Sequence, residues 1–472
     1  MMKRNRTLSS HTKGTVQSIE SLFEVIVLCV AYYITWRTGY DRGTFPPYLG
    51  NGKYILVGVY AVLSYLFIQN SDGFQFGQLR KADLWTAQWL AMFIVNIITY
   101  FQLSLIANEM VSVVPILLLT LADVVISTVA VAGYKFIYYH IYAPYNMIMI
   151  YGSKTAVGMK LKMDHRRDKY RVDSLISVDR GLDEICRQIV KYDAVVLNDV
   201  PAQIRNDIVK FCYKHRLRLY MVPKIADIIV KNAEDISTFD TPMLLVHGQG
   251  LTAGQRFAKR TMDIVLCLLA LIPAAPIMAI VALAIKIEDR GPVFYKQRRA
   301  TINGREFDIL KFRSMIVDAE KNGQSIPATG KDPRITKVGR VIRACRVDEL
   351  PQILNILKGD MSIVGPRPER LEHMEKYGAN IPEFYYRLKV KGGLTGYAQI
   401  YGKYNTSAYD KLRLDLMYIE HYSILLDIKL ILLTVRILFS KDSTEGFDAA
   451  EAEEEKLEKM YEELQDQVPA GS

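Results

Sequence analysis

Cysteine is scarce in this chain, and its five copies, Cys29, Cys186, Cys212, Cys267 and Cys345, lie far apart with no Cys-x-x-Cys among them. That spacing excludes a disulfide framework and a thiolate zinc site. The seven histidines are equally scattered, so a metal, if one is used, falls to oxygen ligands, which points to magnesium. No RNA-binding or helix-turn-helix signature is present, which ranks nucleic acid last among partners. A glycine-rich dinucleotide loop is also missing: after the apolar run 147–151 come Gly152-Ser153-Lys154 and then only Gly158. Without Gly-x-Gly-x-x-Gly the backbone does not approach a pyrophosphate closely. Residues 1–20 are polar and long, unlike a signal peptide.

What the chain has instead is apolar residues and positive charge. Half of its 472 residues are hydrophobic, gathered in long blocks toward the N-terminus, and the formal charge is +10. The length implies two or three folded units, and the blocks mark a membrane protein with soluble parts attached. Because the tail beyond Gly446 is acidic, the remainder is more basic than the total suggests. Such an excess beside membrane segments suits anionic lipid or phosphorylated small molecules.

Four apolar stretches, 22–36, 54–68, 84–106 and 111–137, come first. Spanning takes about 20 mostly apolar residues, which the last two supply alone and the first two with their flanks. Lys3, Arg4, Arg6 and Lys13 precede the first, Arg80 and Lys81 separate the second from the third, and Lys154, Lys160 and Lys162 follow the fourth. The positive-inside rule then puts the N-terminus and everything after Ile137 on the cytoplasmic side, although Arg37, Arg42 and Lys53 obey it imperfectly.

A fifth apolar stretch, 262–285, has Lys259 and Arg260 before it, Lys286 and Arg290 after it, and Pro273 and Pro276 in its middle. Proline removes helix hydrogen bonds and bends the axis. A re-entrant helix that dips into one leaflet and returns suits two basic, cytoplasmic ends. A kinked spanning helix is the alternative.

Between these regions, residues 145–250 alternate short apolar runs (147–151, 172–178, 194–197, 217–222, 243–246) with amphipathic stretches (182–190, 202–215, 226–233). The pattern predicts a Rossmann-like, doubly wound parallel α/β sheet, structural or regulatory in role.

Polar motifs crowd the last third. Asp348-Glu349 precedes Pro351 and a helical pattern whose apolar positions are Leu350, Ile353, Leu354 and Leu357. On spacing alone the two acids read as a helix cap. Around them stand Lys311, Arg313, Arg334, Arg340, Arg343 and Arg367. Cations gathered near two carboxylates suit phosphate, which guanidinium groups grip bidentately.

Several motifs resemble the bacterial sugar transferase family, the monotopic phosphoglycosyl transferases. They are Lys259-Arg260-x-x-Asp263, Gln297-x-Arg299, Lys311-Phe312-Arg313-Ser314-Met315, Asp348-Glu349-Leu350-Pro351-Gln352, Lys358-Gly359-Asp360-Met361-Ser362 and Gly365-Pro366-Arg367-Pro368, covering about residues 255–441 in the family order. The four upstream spans and the α/β region resemble the long form, the exopolysaccharide polyprenyl glycosylphosphotransferases. The resemblance implies an α/β catalytic domain at 255–441, anchored by the re-entrant helix, behind a transmembrane region at 1–140. It implies transfer of a phosphosugar from a nucleoside-diphosphate sugar, a UDP-hexose, to polyprenyl phosphate, with release of UMP, as the first membrane step of exopolysaccharide, capsule or O-antigen assembly. Asp348 would be the nucleophile of a covalent intermediate and Glu349 the Mg²⁺ ligand. Lys311, Arg343, Arg367, Arg299 and Arg334 would bind phosphate oxygens.

Two departures from the family pattern stand out. Ala275-Pro276 replaces Ser-Pro at the bend, and Lys391-Gly392-Gly393 replaces Arg-Pro-Gly before Leu394-Thr395-Gly396. A second class of function, a non-catalytic membrane scaffold that holds polyprenyl phosphate or assembly partners, stays open, and a nucleotide-sensing regulator is the third. The acidic tail, 442–472, reads as a solvated charged run. Leu457, Met460, Tyr461 and Leu464 in it share a helical spacing that leaves partner binding and homo-oligomers open.

Overall fold

The computed structural model describes residues 4–40, 52–77, 79, 81–141, 144–153, 155–164, 166, 169–237, 240–317, 332–402 and 406–438. The acidic tail and the loop charges Lys3, Arg42, Arg80 and Lys154 lie outside them. The chain divides into two compact units, 1–222 and 223–472.

The first unit begins with four long helices, α1 (Arg4–Gly39), α2 (Gly52–Asn70), α3 (Lys81–Ala107) and α4 (Val114–Ile141). All four are long and apolar enough to cross a membrane. They pack on a shared apolar core that includes Leu28, Tyr32, Leu84, Val95 and Leu119, yet many further apolar side chains face outward, Leu105 being 83% exposed, which a soluble bundle avoids. Polar groups are turned inward. Tyr60 donates to Asn96 Oδ1 (3.1 Å) and Asp123 Oδ2 (3.2 Å), Asn96 donates to Asp123 Oδ2 (2.8 Å), and Gln88 donates to Glu24 Oε2 (3.0 Å). Between helices that lipid cannot drive together, such bonds and close packing supply the cohesion.

The α/β region follows in the order β1 (Tyr145–Tyr151), α5 (Thr155–Asp164), β2 (Tyr170–Ser177), α6 (Leu182–Ile189), β3 (Ala194–Asn198), α7 (Ala202–Lys214) and β4 (Arg218–Met221). The strands form one sheet in the order β2-β1-β3-β4, every pair parallel. All five residues of β3 are buried, as a central parallel strand covered on both faces requires. Ile185, Ile189, Ile208 and Cys212 of α6 and α7 cover one face, while Ala156 and Met163 of α5 cover the other.

Two elements expected in that sheet lie elsewhere. The apolar run near 243–246 is β6 (Met243–Leu245), which pairs antiparallel with β5 (Glu234–Ile236) in a separate hairpin. The preceding amphipathic stretch is α8 (Ile225–Lys231), whose Ile225 and Ile228 share a core with Leu412, Leu416 and Ile419. The unit boundary therefore falls at Val222/Pro223, earlier than the expected end at 250, because the apolar face of α8 is taken up by the second unit.

That second unit is built on α9 (Ala253–Asp289), which runs through both Pro273 and Pro276. The other elements are β7 (Phe294–Ala300), β8 (Glu306–Phe312), α10 (Lys337–Ala344), α11 (Gln352–Lys358), β9 (Ser362–Val364), α12 (Leu371–Asn380), β10 (Gly393–Thr395), α13 (Tyr397–Tyr401), α14 (Ala408–Glu420) and α15 (Ile424–Leu438). Strands β7 and β8 pair antiparallel, and β9 and β10 pair parallel.

One stripe of α9 is buried, Lys259, Asp263, Cys267, Ala274, Val281 and Ile285, while Leu268, Leu269, Ile272, Ile277, Ile280, Leu283 and Ile287 are exposed. Strand β8 serves both halves of this helix. Phe307 and Ile309 share a core with Cys267 and Ala274, and Phe312 shares one with Val281 and Ile285.

The N-terminal end of α9 is fixed by polar clamps. Buried Lys259 donates to Asp427 Oδ2 (2.6 Å) and Tyr418 Oη (3.0 Å). Arg260 donates to the last carbonyls of α11, Ile356 O (2.5 Å) and Leu357 O (2.6 Å). Asp263 Oδ1 accepts from Ser362 Oγ (3.1 Å) and Ile363 N (3.0 Å). The Lys259-Arg260-x-x-Asp263 motif thus ties α9 to the elements behind the site. Replacing Lys259 by Met should cost about 3–5 kcal/mol, since it strands a buried carboxylate. The double variant Lys259→Met/Asp427→Asn should recover part of that loss. Thermal unfolding of the detergent-solubilised chain would check both.

Candidate active site

Three separate stretches of the second unit converge on one carboxylate oxygen. Lys311, near the end of β8, donates to Glu349 Oε1 (2.6 Å), and Arg367, after β9, donates to the same atom (3.1 Å). Glu349 sits in a 3-10 turn, Val347–Glu349, that follows Arg346 in the left-handed region at φ 54°. That turn separates α10 from α11.

The helix-cap reading of these acids is not what the structure shows. The residue at the N-cap position of α11 is Pro351, and no side-chain cap bond is made there. Helix α11 buries Gln352, Ile353, Asn355 and Ile356, whereas Leu354, expected on the buried face, is exposed. Asn355 explains the rotation. It accepts from Leu310 N (2.9 Å) and donates to Asp308 O (2.8 Å), fastening α11 to the strand that carries Lys311.

The two neighbouring carboxylates differ in their electrostatics. Burial alone would raise the Glu349 pKa, but the charges of Arg367 and Lys311, with their hydrogen bonds, hold it well below the usual carboxylate range. Asp348 goes the other way: burial and the adjacent Glu349 charge raise its pKa, against the opposing charges of Lys311 and Arg343. Among the described residues, no other residue makes a hydrogen bond or ion pair to the Asp348 side chain. Lys311 is lowered, chiefly by burial, and Arg367 is raised, chiefly by Glu349.

The other expected cations divide. Arg343, in the last turn of α10, lies close enough for its charge to act on Asp348, and it pairs with no described residue. Arg334 is engaged by Asp332, through Nε (3.0 Å) and Nη2 (2.6 Å), outside the Glu349 cluster. Arg299 donates to Pro368 O (3.0 Å) and Gln297 Oε1 (2.5 Å) and is turned to the protein rather than to Glu349. Burial and the neighbouring Arg367 lower its pKa to about 10. Ala275 and Pro276 lie within α9, away from the carboxylates along the chain.

Sequence reasoning missed Arg387 and Asp415. Arg387 donates to Asp415 Oδ2 (3.0 Å from Nε) and to Arg367 O (3.0 Å from Nη2). No local pattern marks this pair, because its partners come from distant stretches of the chain.

Opposite pKa shifts imply opposite stability effects. The ionised Asp348 opposes folding at neutral pH, since its folded pKa is raised, so stability falls as pH rises through that window. Asp348→Asn removes the penalty and should raise the melting temperature at pH 7. The depressed Glu349 contributes stability above its unfolded pKa, which is lost as pH falls through its folded pKa. Glu349→Gln should therefore lower stability at pH 7 by about 1–3 kcal/mol, the scale of a lost charged hydrogen-bond partner, with the deficit shrinking in acid. Thermal unfolding of both variants as a function of pH checks the two signs.

The family model described as Bacterial sugar transferase matches residues 254–441. A UDP-glucose:undecaprenyl-phosphate glucose-1-phosphate transferase of Caulobacter vibrioides is 40% identical over 191 residues, covering 39% of this chain and 71% of that protein. The UDP-N-acetylgalactosamine-undecaprenyl-phosphate N-acetylgalactosaminephosphotransferase of Aeromonas hydrophila is 34% identical over 267 residues, 55% of this chain. A UDP-glucose:undecaprenyl-phosphate glucose-1-phosphate transferase of Escherichia coli K12 is 42% identical over 199 residues, 41% of this chain. The chain spans 62% of the Aeromonas protein's length and 43% of the Escherichia protein's.

Proposed function

Because the chain belongs to the bacterial sugar transferase family, we propose that it moves a phosphosugar from a nucleoside-diphosphate sugar to polyprenyl phosphate. The relatives' names carry UDP-sugars and undecaprenyl phosphate, and this reading takes a UDP-hexose and undecaprenyl phosphate for the present chain. The observation that carries it is the contrast between two adjacent acids. Glu349 is clamped by Lys311 and Arg367, while Asp348 is unclamped and its pKa is raised.

In this mechanism an Asp348 oxygen attacks the sugar-linked phosphorus. The bond from that phosphorus to the bridging oxygen breaks, and UMP leaves with the electron pair. A polyprenyl phosphate oxygen then attacks the same phosphorus and returns Asp348 as a free carboxylate. The raised pKa makes Asp348 the more basic, better nucleophile of the two, and a covalent intermediate splits one hard displacement into two. Lys311, Arg343 and Arg367 offset the charge that develops on the phosphate oxygens. Arg299 and Arg334, engaged within the protein, act on the frame of the site rather than on substrate.

Magnesium fits this donor set. Among the described residues no group of three or more metal-ligating side chains gathers, but Mg²⁺ is commonly held by one or two carboxylates together with substrate phosphates. Glu349 takes both of its cations on Oε1, and Oε2 has no partner among the described residues. Glu349 would therefore hold the metal, which when bound would neutralise part of the diphosphate charge.

The burial of α9 supports the re-entrant placement. A helix of 37 residues is about 55 Å long, against a hydrocarbon core of about 30 Å. Yet both of its halves rest on β8, a seven-residue strand bearing Asp308 and Lys311. Were α9 to cross the bilayer, that charged strand would cross with it. The exposed Leu and Ile face instead enters one leaflet, with the catalytic unit on the cytoplasmic face of the inner membrane.

Purified chain mixed with undecaprenyl phosphate, Mg²⁺ and a panel of UDP-sugars should release UMP with at least one of them. No release from any sugar would favour the scaffold reading. Asp348→Asn should abolish release while leaving the chain folded, and retained turnover would sink the nucleophile assignment. For topology, a cysteine introduced after Arg290 in a variant lacking its native cysteines should resist impermeant thiol reagents applied from outside the cell. Labelling there would favour a spanning α9.

A further inference from the structure

The stretch Gly365-Pro366-Arg367-Pro368-Glu369 carries the arginine that grips Glu349, yet it belongs to no helix, and its strand, β9, ends at Val364. Two of its residues are prolines, which restrict φ and have no amide to donate. What the fold can hold here is its carbonyl oxygens, and it holds four in succession. Pro366 O accepts from Gly393 N (2.9 Å) and Glu369 O accepts from Ala300 N (3.2 Å). Between them, Arg367 O accepts from Arg387 Nη2 (3.0 Å) and Pro368 O accepts from Arg299 Nη1 (3.0 Å).

The outer two grips come from main-chain amides that adjoining strands supply. The inner two come from side chains, and these fall on Arg367 and the residue after it. Arg387 is itself fixed: its side chain is 3% exposed and is paired with Asp415, 1% exposed, at 2.7 Å. Glu369 stands 3.6 Å from its Nη1. A guanidinium so enclosed cannot reach substrate, but it can decide where the Arg367 backbone lies. A fork held rigid on one side by a carboxylate is well suited to hold a carbonyl on the other.

We infer that Arg387, anchored by Asp415, is a positioning residue that sets Arg367 on the Glu349 carboxylate by gripping the Arg367 carbonyl, with Arg299 doing the same one residue on. The inference rests on the transfer reaction proposed above for its kinetic consequence, not for its geometry. Misplacing a charge-stabilising group by about 1 Å costs on the order of 100-fold in rate.

The test is a double-variant cycle read with a second, activity-independent measurement. Arg387→Gln should lower kcat/KM for UMP release by about 100-fold. In a chain already carrying Arg367→Gln, adding Arg387→Gln should change the residual rate by no more than about twofold, because the residue acts through Arg367. An equal loss in both backgrounds would overturn the inference. Hydrogen exchange of the full chain should quicken at Gly393 and Ala300, whose amides hold the ends of the same stretch. Unchanged exchange at both would also overturn it. Should Arg387→Gln fail to fold for want of a partner for Asp415, Arg387→Gln/Asp415→Asn removes both buried charges and is read in the same two ways. A wild-type chain that releases no UMP defeats the transfer reading alone, and the exchange rates still decide the grip.

Discussion

The carboxylate of Glu349 takes hydrogen bonds from Lys311 and Arg367 at a single oxygen, and the layout of the second unit follows from making that meeting possible. Lysine, glutamate and arginine come from three stretches separated by 38 and 18 positions. Their side chains are only partly withdrawn from water, Arg367 being 41% exposed, so what keeps them together is the fixed geometry of the pairing. Each stretch is therefore fastened independently. Asn355 ties α11 to β8 through two main-chain bonds, Arg260 holds the far end of α11, and Arg387 and Arg299 hold the stretch around Arg367. Loosening any one of them would let a cation drift from the shared carboxylate.

Helix α9 extends the same logic toward the lipid. Its buried stripe begins with Lys259 and Asp263, both hydrogen-bonded behind the site, and ends with Val281 and Ile285 beneath Phe312. The salt bridge of Asp289 to Arg313 then fixes the helix end beside β8. The polar contacts all lie at the ends of the helix, and its middle presents apolar surface on the exposed side. In the re-entrant placement proposed for α9, such a distribution would keep charged groups out of hydrocarbon while the charged cluster stays within one helix length of it.

Much of this was legible from local pattern, and what was not shares one cause. Long apolar runs locate α1 to α4 and α9, since composition alone marks them. Lys311, Glu349 and Arg367 were legible as motif residues, and the structure brings them together. Pairing across distance was not legible. Helix α8 has an amphipathic pattern that says it packs, not that it packs with residues of α14. In α11 the period of apolar residues suggested a face with Leu354, but Asn355, a polar residue fastened to β8, turns the helix so that Ile356 is buried instead. The family resemblance makes Arg299 a phosphate ligand, and the bonds it makes to Gln297 and to a carbonyl 69 positions away are visible only in the fold.

The division of labour proposed for Asp348 and Glu349 depends on the backbone that carries them. Successive residues of a 3-10 turn project about 120° apart, so although the charges of Lys311 and Arg367 reach both acids, their hydrogen bonds fall on Glu349 alone among the described residues. In an extended strand they would take opposite faces, and one would leave the site altogether. At the N-terminus of an α-helix both would be drawn to the free amides and held as caps. The left-handed Arg346 interrupts the chain after α10 and forces the short turn that avoids both outcomes. Glu349 then falls toward Lys311 and Arg367, while Asp348 is left in reach of the charge of Arg343, which pairs with no described residue. One strained residue between two helices is thus what allows neighbouring carboxylates to differ in basicity, and the chemistry proposed for this site needs that difference.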